Sequence, residues 1–294
     1  MGKASRRRTV RTTDRPAGPA AAPFVARPFE GLPNETEWVA LREILPAATA
    51  PVSVTAGATG GMAAPATVAT VLPLAWPALH RTGGEIFAAT QSSVTSGDAS
   101  RDVAAALLLA IAADEGSPVA SVPPPSVDSP RLQDILDPDV PFVVTLHDGF
   151  DFWVGDAELD EEGRSSLERA NESVVPTERI EGATSVYWCV INERTYVRWV
   201  LPHDEDTATA ALARLHAAGR DRLTPDTRLL GAFRAGGLLV PVWEVPAGVV
   251  AADLAEPVTA MAAAIEEAAA DTTPLTAEQR RAKAGLLNRQ VTLR

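Results

Sequence analysis

Cysteine occurs once in 294 residues, as Cys189. That excludes an intrachain disulfide framework and a cysteine-built zinc cluster, and it fits a reducing compartment. Aromatic residues are also few, at 5%, although six of them are tryptophan. Long apolar runs are absent: the longest, Val103 to Ala113, is bounded by Asp102 and Asp114 and reads as a core helix, too short to span a bilayer. Ser5-Arg6-Arg7 does not read as a twin-arginine export signal, because Thr12 to Pro19 is polar and proline-rich where an apolar stretch should follow. No catalytic, metal-ligating or nucleotide-binding motif stands out, so no cofactor is expected. The reading is a cytoplasmic protein that leans away from an enzyme, with no membrane partner.

What is present suffices for a globular chain. The 46% hydrophobic content can fill a core in each of two domains of ordinary size. The net charge of −12 conceals an asymmetry. Residues 1–27 carry +6, residues 278–294 carry +4, and the remainder carries −22. Such a body repels polyanions while its ends attract them.

Residues 1–27 combine Arg, Thr, Pro and Ala with almost nothing to bury, and are expected to form a disordered basic tail. Asn34 with Glu37 makes a capping box for a helix whose Trp38, Leu41 and Leu45 share one face, ending at Pro46. Val52–Thr55, Thr67–Leu74 and Glu85–Thr90 read as strands, followed by a helix capped at Asp98 or Ser100 and a Pro/Ser-rich loop over 118–130. Phe142–Leu146 and Phe150–Val154 read as a hairpin around His147-Asp148-Gly149, with a helix over Leu159–Val174 after it. Strands near Glu178, at Val186–Ile191 and at Thr195–Leu201 precede a helix capped by Asp204, with Ala208, Ala211, Leu212 and Leu215 on one face. A hairpin over Gly236-Gly237 joins Arg228–Phe233 to Leu238–Val245. Leu254, Val258, Met261 and Ile265 mark a long helix, and Thr276 with Gln279 opens a terminal one.

The order is α-βββ-α-ββ-α, repeated if the helix near Leu167 serves both halves. This predicts an α+β protein of two tandem halves, residues 28–175 and 176–294, each with an antiparallel sheet carrying helices on one face, either by duplication or, since the halves share little identity, by convergent α+β patterning. That order resembles the type III secretion chaperone fold, a likeness of topology that implies no shared activity.

Several runs carry a family resemblance: Arg27-Pro28-Phe29-Glu30-Gly31-Leu32-Pro33, Trp38-Val39-Ala40-Leu41-Arg42-Glu43, Ala69-Thr70-Val71-Leu72-Pro73, Phe152-Trp153-Val154, Tyr187-Trp188-Cys189 and Ala213-Arg214-Leu215-His216-Ala217-Ala218-Gly219. With the ending Asn288 to Leu293, they resemble an actinobacterial family of unknown function. Longer members of that family carry an N-terminal SEC-C zinc motif and a SecA or preprotein-translocase label. The zinc ligands have no counterpart here, because no Cys or His precedes His80.

The residues with chemistry are better explained by local structure. His203-Asp204-Glu205-Asp206 sets an imidazole beside three carboxylates, yet it sits where a helix start wants caps and negative charge. His147 with Asp148 and Asp151 is explained by a turn, and His216 by the last turn of its helix. Cys189 lies in an apolar strand, where burial makes a thiol inert. Most tryptophans are expected in the core, with Trp199 beside Arg198 the best candidate for an exposed groove. Two functional readings follow. One is a non-enzymatic binding or chaperone-like module for protein segments, its tail (Lys3, Arg6, Arg7, Arg8, Arg11) contacting anions on RNA or the ribosome. The other is an enzyme using scattered carboxylates such as Asp98, Asp148 and Asp204.

The tail reading predicts weak, sequence-independent RNA binding that falls steeply with salt as counterions are released. Replacing Arg6, Arg7 and Arg8 by Ala should remove it. A titration of labelled RNA at low and physiological salt checks this, and equal binding by the triple variant refutes it.

Overall fold

The computed structural model describes residues 20–92, 96–155 and 158–288. Lys3, Arg6, Arg7, Arg8 and Arg11, and the last six residues, lie outside them. The elements are α1 (Glu35–Glu43), β1 (Ala48–Val54), α2 (Ala56–Thr59), β2 (Ala64–Ala69), β3 (Ala78–His80), β4 (Ile86–Ala89), α3 (Ala99–Ala112), β5 (Ser117–Val119), α4 (Leu132–Ile135), β6 (Thr145–Leu146), α5 (Glu161–Asn171), β7 (Thr177–Arg179), β8 (Val186–Ile191), β9 (Arg194–Trp199), α6 (Glu205–Ala217), β10 (Arg228–Ala235), β11 (Leu238–Val245), α7 (Ala255–Ala270) and α8 (Ala277–Asn288). The chain is an α+β protein with two sheets, ordered β5-β3-β4-β2-β1-β6 and β10-β11-β9-β8-β7.

Caps start the helices where the local chemistry calls for them. The Asp98 carboxylate accepts from Ser100 N at 3.1 Å, and Asp204 accepts from Thr207 N at 3.0 Å. Thr276 and Gln279 exchange side-chain to backbone bonds in both directions. The second sheet is antiparallel throughout. Period-two alternation sends Val186, Val197, Trp199, Leu239 and Trp243 into one core with α6 and α7, and Tyr187, Val200, Leu238 and Val240 into another with α1. Both faces of the β8–β9 hairpin are therefore covered.

The first sheet departs from expectation in two ways. β2 and β4 pair in parallel, because β3 forms after the Pro73–Ala75 turn and folds back on the outer side of β4. The hairpin expected over 142–154 does not form. Thr145–Leu146 pairs instead with Ala48–Thr49 at the sheet edge, and Asp151–Trp153 makes a 3-10 turn. Aromatic packing outweighs strand propensity there: Trp153 stacks on Phe150 at 4.3 Å and donates its indole N–H to Val71 O at 2.8 Å. Residues 20–27, read as the end of an unpacked tail, lie on the body. Ala22 N donates to Pro125 O, Val25 N donates to Gly97 O, and Arg27 grips Glu35 through two bonds of 2.6 and 2.7 Å. The 118–130 stretch supplies part of β5 and the buried Val122.

α1 lies between the two sheets, so six consecutive residues from Thr36 to Leu41 are buried. Trp38 is stacked between Phe29 at 5.6 Å and Phe142 at 4.0 Å. The turn Gly236-Gly237 abuts the other side. Both glycines have positive φ, and an added Cβ would meet Val39 Cγ2 at 2.9 Å or Ala26 O at 2.6 Å, so only glycine supplies both the turn and the approach.

The sequence pattern makes Glu37 half of a capping box, and the structure corrects this. Asn34 is left-handed (φ 54°) and makes no side-chain cap; its amide donates to Phe142 O at 3.0 Å. Glu37 is 3% exposed and points at the second sheet. It accepts from Arg179 Nη1 at 2.6 Å, Ser185 N at 3.1 Å, Ser185 Oγ at 3.0 Å and the Tyr187 hydroxyl at 2.5 Å. Burial pushes its pKa up, but hydrogen bonds from Arg179, Tyr187 and Ser185 outweigh that and hold it below the usual carboxylate range.

Removing this carboxylate leaves Arg179 uncompensated, and Glu37→Ala should cost about 3 to 5 kcal/mol in urea unfolding. A depressed native pKa contributes stability above the ordinary glutamate value of about 4.3 and loses it as pH falls through the native value. Wild type should therefore lose stability in acid more steeply than Glu37→Gln. Parallel pH profiles would refute the assignment.

Candidate binding cleft

The two faces of the first sheet are covered unequally. Ala66, Val68, Ala78, Ile86 and Ala88 join the core beneath α1 and α3. The alternate positions, Ala69, Leu79, Phe87 and Ala89, face a thinner layer made of Leu72, Trp76, Phe152 and Trp153. Beyond that layer a cleft of about 830 Å³ opens.

One wall is β3 and the turn after it, with Leu79, Arg81 and Glu85. The floor is Pro73, Leu74, Trp153 and Val154, and the opposite wall is Leu159, Gly163, Ser166 and Leu167 at the start of and along α5. Leu74 is 85% exposed and left-handed at φ 53°, as is Ala75 at φ 54°. Two successive non-glycine residues in that region carry backbone strain, and they hold an apolar side chain at the cleft. Arg81 is fixed: Nε donates to Glu85 Oε2 at 2.8 Å, Nη1 donates to Phe152 O at 2.8 Å, and the guanidinium lies 4.6 Å from the Phe87 ring centre.

α5 has an N-cap, Asp160, whose carboxylate accepts from Gly163 N at 2.8 Å. At its other end Asn171 accepts from Phe150 N at 2.7 Å. Yet α5 contains no buried residue. Its apolar side, with Leu167, borders the cleft rather than a core.

Among the described residues, the carboxylates and histidines singled out from sequence do not line this cleft, although His203 and Trp199 border another cavity beside Glu266. The four at 203–206 diverge: His203 Nε2 is 3.3 Å from Glu266, Asp204 caps α6, Glu205 pairs with Arg234 at 2.5 Å and Asp206 with Lys283 at 3.0 Å. Hydrogen bonds from Thr207 hold the Asp204 carboxyl below its usual range. His147 lies 2.8 Å from Thr49 Oγ1 and 4.8 Å from the Phe152 ring, and burial lowers its pKa. Asp148 is exposed, and Asp151 accepts from Asn171 Nδ2 at 3.4 Å. His216 is in the last turn of α6, 2.6 Å from Asp221. Asp98, Asp148 and Asp204 share no contact: Asp98 is fully buried and paired with Arg131 at 3.0 Å. Among the described residues no group of three or more His, Cys, Asp or Glu is placed to hold a metal.

Trp199, expected as the most exposed tryptophan, is 4% exposed. β9 directs it into the core beside Trp243, at 6.3 Å. The tryptophan at the cleft is Trp153, which the expected hairpin had placed in a strand. Nothing in the sequence marks Leu74 or the Leu159–Leu167 pair as site residues. For Leu159 and Leu167 the one signal is an amphipathic stretch at the start of and along α5, which is also the pattern of an ordinary surface helix, and Leu74 carries none.

Cys189 is buried, and burial raises its thiol pKa despite nearby Arg198. A thiol reagent at neutral pH should modify it only on the timescale of unfolding, and rapid labelling of the folded chain would contradict this placement.

No curated protein and no solved structure matches the chain. No helix among the described residues is long and apolar enough to cross a membrane. The model of a family of unknown function (DUF5926) matches residues 28–294, and the chain belongs to that family.

Proposed function

We propose that the chain is a non-catalytic binding protein that takes an apolar protein segment into the cleft between β3 and α5. The observation that carries this is the helix with no buried residue beside an open apolar space of about 830 Å³. Isolated helices shorter than about 12 residues are marginal in water and draw most of their stability from packing. α5 has 11 residues, two end contacts and a largely unfilled apolar side. The cleft falls within the range of about 300–1,000 Å³ typical of ligand sites. No observation favours the enzyme reading, since the carboxylates it needs lie in separate surroundings.

The chaperone-like reading, the duplication of halves and a cytoplasmic setting belong to the same proposal. What supports the first is the order α5-β7-β8-β9-α6-β10-β11-α7, the expected α-βββ-α-ββ-α pattern in the second half; the first half, where α4 separates β5 from β6 and no closing hairpin forms, lends the duplication no such support. The basic tail would add contact with RNA or the ribosome, a reading supported by its charge.

Leu74→Asp, at an exposed position, should change stability by no more than about 0.5 kcal/mol, and Leu167→Asp, at a half-buried one, should cost well under the roughly 2–5 kcal/mol of truncating a core leucine. A dye that fluoresces in apolar surroundings should bind wild type, be displaced by short apolar peptides, and bind at least about tenfold more weakly to both variants. Unchanged dye binding, or a large loss of stability in Leu167→Asp, would overturn the proposal.

A further inference from the structure

The charge around the cleft narrows the choice of occupant. Residues 158–172 hold six acids and two arginines, and all six acids are exposed. Among the described residues, Glu158, Glu161, Glu162 and Glu168 have no ion-pair partner. The cation on the facing wall, Arg81, is already taken by Glu85 and the Phe152 carbonyl. Nearby, Glu115 accepts from Gly83 N. In the lining itself Arg81 offsets Glu85, so the excess negative charge beside the apolar floor is that of the exposed acids on and just before α5, on a chain that is acidic as a whole.

Backbone geometry narrows it further. β3 is hydrogen-bonded on both sides, to β4 and to β5, so no free strand edge borders the cleft and an extended segment gains no ladder there. What the cleft does present is a helix of about 16 Å, from 11 residues at 1.5 Å each. An incoming helix of similar length lays apolar side chains three and four residues apart along it.

We infer that the occupant of the cleft is a basic amphipathic helix of about three turns, supplied by a partner protein; the inference rests on reading the cleft as a protein-segment site. Its leucine-like side chains fill the space over Leu74, Trp153 and Leu167. Its lysines or arginines face the free carboxylates of α5. Apolar anchors supply the affinity, and the charges supply selectivity and encounter rate, because exposed ion pairs contribute little to binding strength and are screened by salt.

The test uses the full chain and four probes: a 14-residue Leu–Lys amphipathic helix, its Leu–Glu counterpart, a scrambled Leu–Lys peptide without a helical stripe, and an alkyltrimethylammonium amphiphile. Binding is read from backbone amide shifts at Leu79, Gly163 and Leu167, alongside displacement of the apolar dye. The Leu–Lys helix should bind at least about tenfold more tightly than the Leu–Glu helix at low salt, with the gap shrinking at high salt. It should exceed the scrambled peptide by a similar factor and lose its site in Leu167→Asp. The quadruple variant Glu158→Gln, Glu161→Gln, Glu162→Gln and Glu168→Gln should keep dye binding but lose the preference for lysine.

Equal affinity for the Leu–Lys and Leu–Glu helices, equal affinity for the scrambled peptide, or binding undisturbed by Leu167→Asp would overturn the inference. So would occupation of the cleft by the amphiphile and not by the helix. If the dye is displaced by apolar peptides of either charge, the binding proposal stands and this inference falls. If the dye never enters the wild-type cleft, both fall.

Discussion

The buried carboxylate of Glu37 is the contact on which the arrangement of the two sheets depends. Taking a carboxylate out of water costs several kcal/mol unless its oxygens are satisfied. The donors here come from residues 142 to 150 positions further along the chain: Arg179, Ser185 and Tyr187. Ser185 is left-handed at φ 59°, a conformation a serine does not choose unaided. It is held because both its N–H and its hydroxyl address the same carboxylate. Thr36 extends the network, 2.8 Å from the Ser185 hydroxyl. Hydrophobic contacts alone would let the sheets slide over α1. A charge with directional donors does not.

That constraint propagates outward. With Glu37 turned to the second sheet, the next residue, Trp38, is placed for its stack with Phe29 and Phe142, and Val39 meets the Gly236 turn. α1 is therefore consumed on all sides, and α3 closes the same face of the first sheet. No long helix is left for the opposite face. It is covered by Trp76, Phe152 and Trp153, and α5 stands off from it. The cleft is the consequence of one sheet sharing its central helix with another.

This also explains which features were legible in the sequence. Those governed by neighbours within a few residues read correctly: the caps at Asp98, Asp204 and Thr276, the stripe Ala208-Ala211-Leu212-Leu215, and the Gly236-Gly237 hairpin. Each is decided by capping geometry, helical periodicity or a turn. Glu37 failed as a cap because a carboxylate three residues after an asparagine looks the same whether it turns back to its own helix or outward to Ser185. Trp153 failed because stacking on Phe150 and the bond to Val71 are long-range facts that override a strand-like run of aromatics. β3 is only three residues long, beside prolines, and carries too little pattern to register. The cleft combines segments near 74, 81, 153 and 163, which no local window contains.

α5 shows why the binding reading falls on this part of the molecule rather than on the second sheet. The second sheet is packed on both faces, so accommodating a partner there means breaking core contacts worth several kcal/mol in total. α5 is tied by Asp160 at one end and Asn171 at the other, and contacts of that kind are worth about 1 kcal/mol each. Shifting or turning α5 to meet an incoming side chain therefore costs little, and whatever apolar surface the partner covers on Leu74 and Leu167 is a net gain. Sites that adjust to ligands are drawn from the least stable parts of a fold for this reason. Here that part is α5, an 11-residue helix with no buried residue and an apolar side that borders open space.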